Sequence, residues 1–126
     1  MLEEAELVAF VPCSDLEVSS RFYGGVLGLR LLETSEFANA YHVNGTQLRV
    51  TLVDKPARAP YTVLGWRVPD IAAAIRGLRA AGVEFKRYDG LTQDEHDTWT
   101  APGGSRIAWF ADPDGNIFSL QQPPTI

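Results

Sequence analysis

The side chains of this protein able to do chemistry are few, and most stand alone. Asp112, Asp114 and Asn116 alternate in "DPDGN", the spacing at which a calcium loop presents its first oxygen ligands. Such a loop wants glycine at its sixth position and glutamate at its twelfth; counted from Asp112, these are Ile117 and Pro123. The calcium reading fails. A tight turn fits instead: Pro113 presets one backbone angle, Asp114 can accept from nearby amides, and Gly115 takes the positive φ. The two histidines are His42, in a strand-like run, and His96, in the acidic run "QDEHD". A divalent metal needs several convergent ligands, so both are expected as partly exposed polar residues. The run from Asp94 to Asp97 reads as a solvated loop, or as a lid whose histidine titrates near neutral pH. Cys13 ends an apolar run without a histidine nearby in sequence, so it reads as a packed thiol.

The elements that must position these residues fall into two similar halves. "LVAFVPC" is a strand. In "SDLEVSSRFYGGVLG", Ser14 or Asp15 is a helix N-cap and Val18, Phe22 and Val26 form an apolar stripe. Gly24 and Gly25 should loosen that helix, and Gly28 should stop it. "LRLLETS", "EFANAYHV" and "TQLRVTLVD" follow as three strands, with "VNG" as the turn before the last. "KPARAP", residues 55–60, reads as a linker. The pattern then restarts: strand "YTVLGWRV", helix "PDIAAAIRGLRAAG" with Ile71, Ile75 and Leu78 on one face, and strands "VEFKRYD", "SRIAWFAD" and "NIFSLQQ". A long loop, "GLTQDEHDTWTAPGG", separates the first two of these strands. Asp15 and Asp70 correspond across 55 residues, and Gly45 and Gly115 across 70. The expectation is an α+β fold of two tandem βαβββ modules, about 6–54 and 61–122, within one domain of residues 1–126. Each helix covers one face of its sheet and leaves the other free to line a concavity.

Strand alternation lists that free face. Leu48, Val50 and Leu52 should face the first helix, leaving Gln47, Arg49 and Thr51 on the concave side. By the repeat, Phe118 and Leu120 face the second helix, leaving Ile117, Ser119 and Gln121. Val8, Phe10, Val63, Gly65 and Arg67 join them. The two arginines carry the sharpest inference, because a guanidinium on a partly enclosed face seeks a planar anion: a ligand carboxylate or phosphate, or an acid of the protein itself. Trp66 is expected in the core, and Trp109 in the core or at a subunit interface. Trp99, after the long loop, is the aromatic candidate for covering a ligand.

Composition sets the outer bounds. The 126 residues suffice for one common domain, which buries about two-thirds of its unfolded surface. With 45% hydrophobic and 21% charged residues, the chain reads as globular. A net charge of -5, from 16 acids and 11 bases, argues against nucleic acid or an anionic membrane as partner. One cysteine excludes an internal disulfide and suits a reducing compartment. "MLEEAELVAF" is not a secretory signal, and no apolar run is long enough to span a membrane. A cytoplasmic protein is expected.

"DLEVSSRFYGGVLGL" in the first module, with "VPDIAAAIRGLRAAGVEF" and "DPDGN" in the second, resembles the vicinal oxygen chelate superfamily, which holds glyoxalase I, bleomycin-resistance proteins and extradiol dioxygenases. The resemblance covers nearly the whole chain. It implies the concave double-module fold, frequent homodimers, and a divalent metal held by His, Gln or Glu at four positions. Those positions here are Val8, Arg49, Val63 and Ser119, none a usual ligand, and an arginine repels a cation. The reading that follows is a binder of a small carboxylate-bearing or aromatic molecule, without the usual metal or other cofactor. Its candidate contacts are Phe10, Gln47, Arg49, Arg67, Trp99, Ser119 and Gln121. The alternative is a metal-dependent lyase, isomerase or dioxygenase of the same superfamily, its acid or base drawn from His42, His96, Tyr41 or a loop carboxylate. A third reading is a module that mainly dimerises.

Overall fold

The computed structural model describes residues 1–125. The chain divides into two compact units, Met1–Ala57 and Arg58–Ile126, with the boundary inside the proline-containing segment 55–60. The fold is α+β, with two βαβββ-like modules, each built on a four-stranded mixed sheet.

The first unit runs β1 (Val8–Cys13), α1 (Leu16–Ser20), a π-helical turn (Arg21–Val26), β2 (Arg30–Thr34), β3 (Ala38–Val43) and β4 (Thr46–Leu52). Its sheet has the order β1-β4-β3-β2, with β1 parallel to β4 and the rest antiparallel. Asp15 caps α1 by accepting from the amides of Glu17 and Val18. The helix loosens at Gly24 and Gly25, where the chain widens into the π-helical turn, and it ends at Gly28 with φ +70°. The buried stripe differs from the expected one. Ser19, Phe22 and Tyr23 are buried, Val18 is exposed and Val26 is half-buried, so the buried side already departs from the expected stripe before the wider turn begins at Arg21. β3 and β4 join through Asn44 and Gly45, both at positive φ, the mirror-image hairpin turn that suits the strands' twist.

Leu48 and Val50 are buried beside Val11, Cys13 and Tyr41. Leu52, at the strand's end, is exposed instead.

The second unit runs β5 (Thr62–Arg67), α2 (Ile71–Ala80), β6 (Trp99–Thr100), β7 (Arg106–Ala111) and β8 (Ile117–Gln122), in the sheet order β5-β8-β7-β6. Asp70 caps α2 by accepting from the Ala73 amide, Ile71 and Ile75 are buried, and Gly82 ends the helix with φ +95°. Trp66, half-buried, packs against Phe118 and Phe110 on the helix side, with ring centroids at 5.5 and 6.3 Å.

The strand expected over "VEFKRYD" does not form. Only Phe85 bridges to Phe110, and the Lys86 amide reaches the Trp109 carbonyl. Beyond that, side chains take over the backbone groups. The buried Gln93 donates to the carbonyls of Lys86 and Asp97 and accepts from the Tyr88 amide, while Arg87 donates to the carbonyls of Gln93 and Asp94. The sheet's fourth strand is therefore the two-residue β6, taken from the end of the long loop.

Candidate functional site

Each sheet buries one face under its helix and leaves the other face open, and the expected contact residues lie on the open faces. In the first unit, cross-strand register sets Phe10 beside Arg49, and Val8 and His42 beside Gln47. Phe10 is 64% exposed, whereas Arg49 and Gln47 are half-buried. The Arg49 guanidinium already has a partner, with Nη1 3.4 Å from Glu33 Oε1. His42 Nε2 accepts the Gly45 amide at 3.2 Å, which ties the imidazole to its own turn. Tyr41 points the other way. It is buried on the helix side, and burial holds its phenol above the ordinary value despite a hydrogen bond with Asn39. A buried phenol kept protonated on that side is out of reach of chemistry on the open face.

The second unit's open face is laid out in rows. Arg67 lies opposite Gln121, Gln121 opposite Ile107, and Ile107 opposite Trp99, so one row crosses all four strands. In the next row Gly65 lies opposite Ser119, and Ser119 opposite Trp109. A Cβ on Gly65 would stand only 2.6 Å from Ser119 Oγ, so the glycine lets the two strands' contents share that spot. Arg67 is exposed, and no carboxylate among the described residues lies within ion-pair distance of it.

Trp109 corrects the expectation of a core residue. Its β-strand partner Ser119 puts it on the open face, where it is half-buried. The indole Nε1 donates to Thr62 Oγ1 at 3.1 Å, so the ring reaches from β7 across β8 to β5. Tyr88 meets it edge-on with centroids at 5.3 Å, and Trp99 lies at 6.3 Å, tilted by 30°. The sequence reading proposed Trp99 for its place after the long loop and missed Trp109 and Tyr88 on the open face. The signal available was the alternation of β7 itself: Ala108 and Phe110 are buried, which sends Ile107 and Trp109 to the opposite side.

The acidic run is pinned rather than freely solvated. Asp97 holds Arg79 at 2.5 Å and Arg87 at 2.6 Å. Asp94 Oδ1 accepts the amides of His96 and Thr98, and Oδ2 faces Arg106 at 3.8 Å. Partial burial pushes the Asp94 carboxyl up, but the Thr98 and His96 amides, with the charges of His96 and Arg106, bring it below its ordinary value.

In "DPDGN" Asp112 accepts the amides that shape the turn. Asp112 Oδ1 accepts the amides of Asp114 and Asn116, and Oδ2 accepts Asn116 Nδ2. That carboxylate is engaged within its own turn, and Gly115 takes φ +85°.

The chain belongs to the Glyoxalase/Bleomycin resistance protein/Dioxygenase superfamily, whose family model matches residues 7–120. Among solved structures it is similar to TnmS3, an antibiotic binding protein from a Streptomyces strain, at 26% identity and a TM-score of 0.73, with 98% of each chain covered. It is also similar to a superfamily member from Sphaerobacter thermophilus, at 23% identity and a TM-score of 0.74, covering 97% of this chain and 99% of that one. A lactoylglutathione lyase from Agrobacterium tumefaciens matches at 15% identity and a TM-score of 0.67, covering 94% of this chain and 93% of that one. These last two likenesses establish the fold alone. A comparison with curated protein sequences finds no match.

The side chains at the four positions that the resemblance assigns to a divalent metal, Val8, Arg49, Val63 and Ser119, do not fit such an ion. Two valines offer no donor atom, Ser119 offers only a neutral hydroxyl, and Arg49 brings a positive charge. Among the described residues no group of three or more His, Cys, Asp or Glu could hold a metal ion, and no helix is long and apolar enough to cross a membrane.

Proposed function

We propose that this protein binds a small organic molecule, carboxylate-bearing or aromatic, on the open faces of its sheets and without a metal. The observation that carries this reading is the chemistry of those faces. Where the superfamily's metal ligands would stand they offer valine, arginine and serine, and beside these they offer apolar, amide, guanidinium and indole groups. Such a mixture suits recognition by contact area and a few directed polar bonds. The likeness to an antibiotic binding protein at 26% identity supports the same class of function. Phe10, Gln47 and Arg49 are the proposed contacts in the first unit, and Arg67, Trp99, Ser119 and Gln121 in the second. The working species is a homodimer, which light scattering on the purified protein tests directly.

Thermal melting against a panel of aromatic acids and antibiotics, run beside elemental analysis of protein purified without added metal, tests the proposal. Binding should raise the melting temperature for some of the panel, and metal content should be far below stoichiometric. A stoichiometric metal, or a rise of several degrees with nickel, zinc, manganese or iron, would overturn the metal-free reading.

A further inference from the structure

Resting on that reading, we infer that the second unit recognises two handles of one ligand. An anionic group docks at Arg67 and a flat aromatic system at Trp109 and Trp99, in a molecule that lies across the strands. The two arginines on the open faces are not equivalent. Arg49 is held by Glu33 at 3.4 Å, whereas Arg67 is exposed and has no carboxylate partner among the described residues. An unpaired guanidinium offers a planar oxyanion two parallel hydrogen bonds, and Gln121 stands directly beside it to supply an amide.

The opposite edge of the same row holds Trp99. Three strand spacings separate it from Arg67, roughly 14 Å at about 4.8 Å each. Gln121 and Ile107 stand between them, and in the adjacent row the floor is low, because Gly65 has no side chain and Ser119 has a small one. Trp109 lies along that floor, already fixed by its bond to Thr62 and its edge contact with Tyr88. A ring fixed in advance loses little freedom when a ligand stacks on it. The ligand class that matches this layout is an extended or fused-ring aromatic compound carrying a carboxylate at one end.

Pyrenebutyrate and its uncharged analogue pyrenebutanol are suitable probes, read by tryptophan quenching and equilibrium dialysis on the full chain. The acid should bind more tightly than the alcohol. Arg67→Gln should remove that advantage, weakening the acid about ten- to a hundredfold and leaving the alcohol unchanged. Arg76→Gln, an exposed arginine on the helix that covers the other face of this sheet, should leave both affinities as they are, and Trp99→Leu should weaken both. Circular dichroism and melting of each variant establish that it is folded. The inference is overturned if neither probe binds, if Arg67→Gln preserves the preference for the acid, or if Arg76→Gln abolishes it. The broader proposal stands or falls separately: a panel compound that shifts melting while pyrenebutyrate fails leaves it intact, and a panel without any hit removes it.

Discussion

Single residues on the two sheets differ in ways their types do not announce. Arg49 and Arg67 have the same side chain and the same outward direction, but Glu33 occupies one and nothing among the described residues occupies the other. Ser19 presents the opposite problem. It is buried in α1, and its Oγ has no hydrogen-bond partner among the described residues. Losing an unmatched buried hydroxyl removes a desolvation cost, and alanine is the better helix former, so Ser19→Ala should stabilise the fold by about 1 kcal/mol in urea unfolding. Asp94 supplies a pH dependence. Its carboxyl titrates below the ordinary value of 3.8, so its contribution to stability is fully present above that value and is lost as pH falls through the lower folded one. Denaturant midpoints measured through this acidic range should decline, and Asp94→Asn should flatten that part of the curve. An unchanged slope in the variant would assign the acid sensitivity to other carboxylates.

Secondary-structure elements follow local rules where those rules act alone. The caps at Asp15 and Asp70, the loosened helix at Gly24 and Gly25, and the Asn44-Gly45 hairpin were all legible, because each depends on a few neighbouring residues. Gly45→Ala should cost about 1 kcal/mol by forcing a Cβ into a left-handed backbone, and chemical denaturation measures it. The strand expected over "VEFKRYD" was misread, although its apolar residues are real. Val83 is buried, and Phe85 packs on Phe110. What decides against the strand is Gln93, whose side chain satisfies the backbone of residues 86 and 88 before a ladder can. Gln93→Ala should therefore strip the 86–98 loop of its protection from amide hydrogen exchange while the protection of β7 and β8 survives.

At the scale of the whole chain, the repeat and the superfamily were readable from motif order: a capped helix after the first strand and a glycine turn before the last, twice over. The same order located four positions where metal donors are lacking. Treatment with a chelator should accordingly leave the melting temperature unchanged, and a fall of several degrees would contradict the metal-free reading. Periodicity and turn chemistry act over a few residues, so the sequence by itself determined the two modules, their caps and hairpins, and which side of β1, β4 and β8 is turned away from the helix, whereas an irregularity between Thr62 and Leu64 interrupts the alternation of β5. It could not say that Glu33 reaches Arg49, that Trp109 reaches across β8 to Thr62, or that a two-residue strand completes the second sheet. Those outcomes depend on contacts between residues distant in the chain, such as the 47 positions from Thr62 to Trp109, which only the tertiary structure brings together.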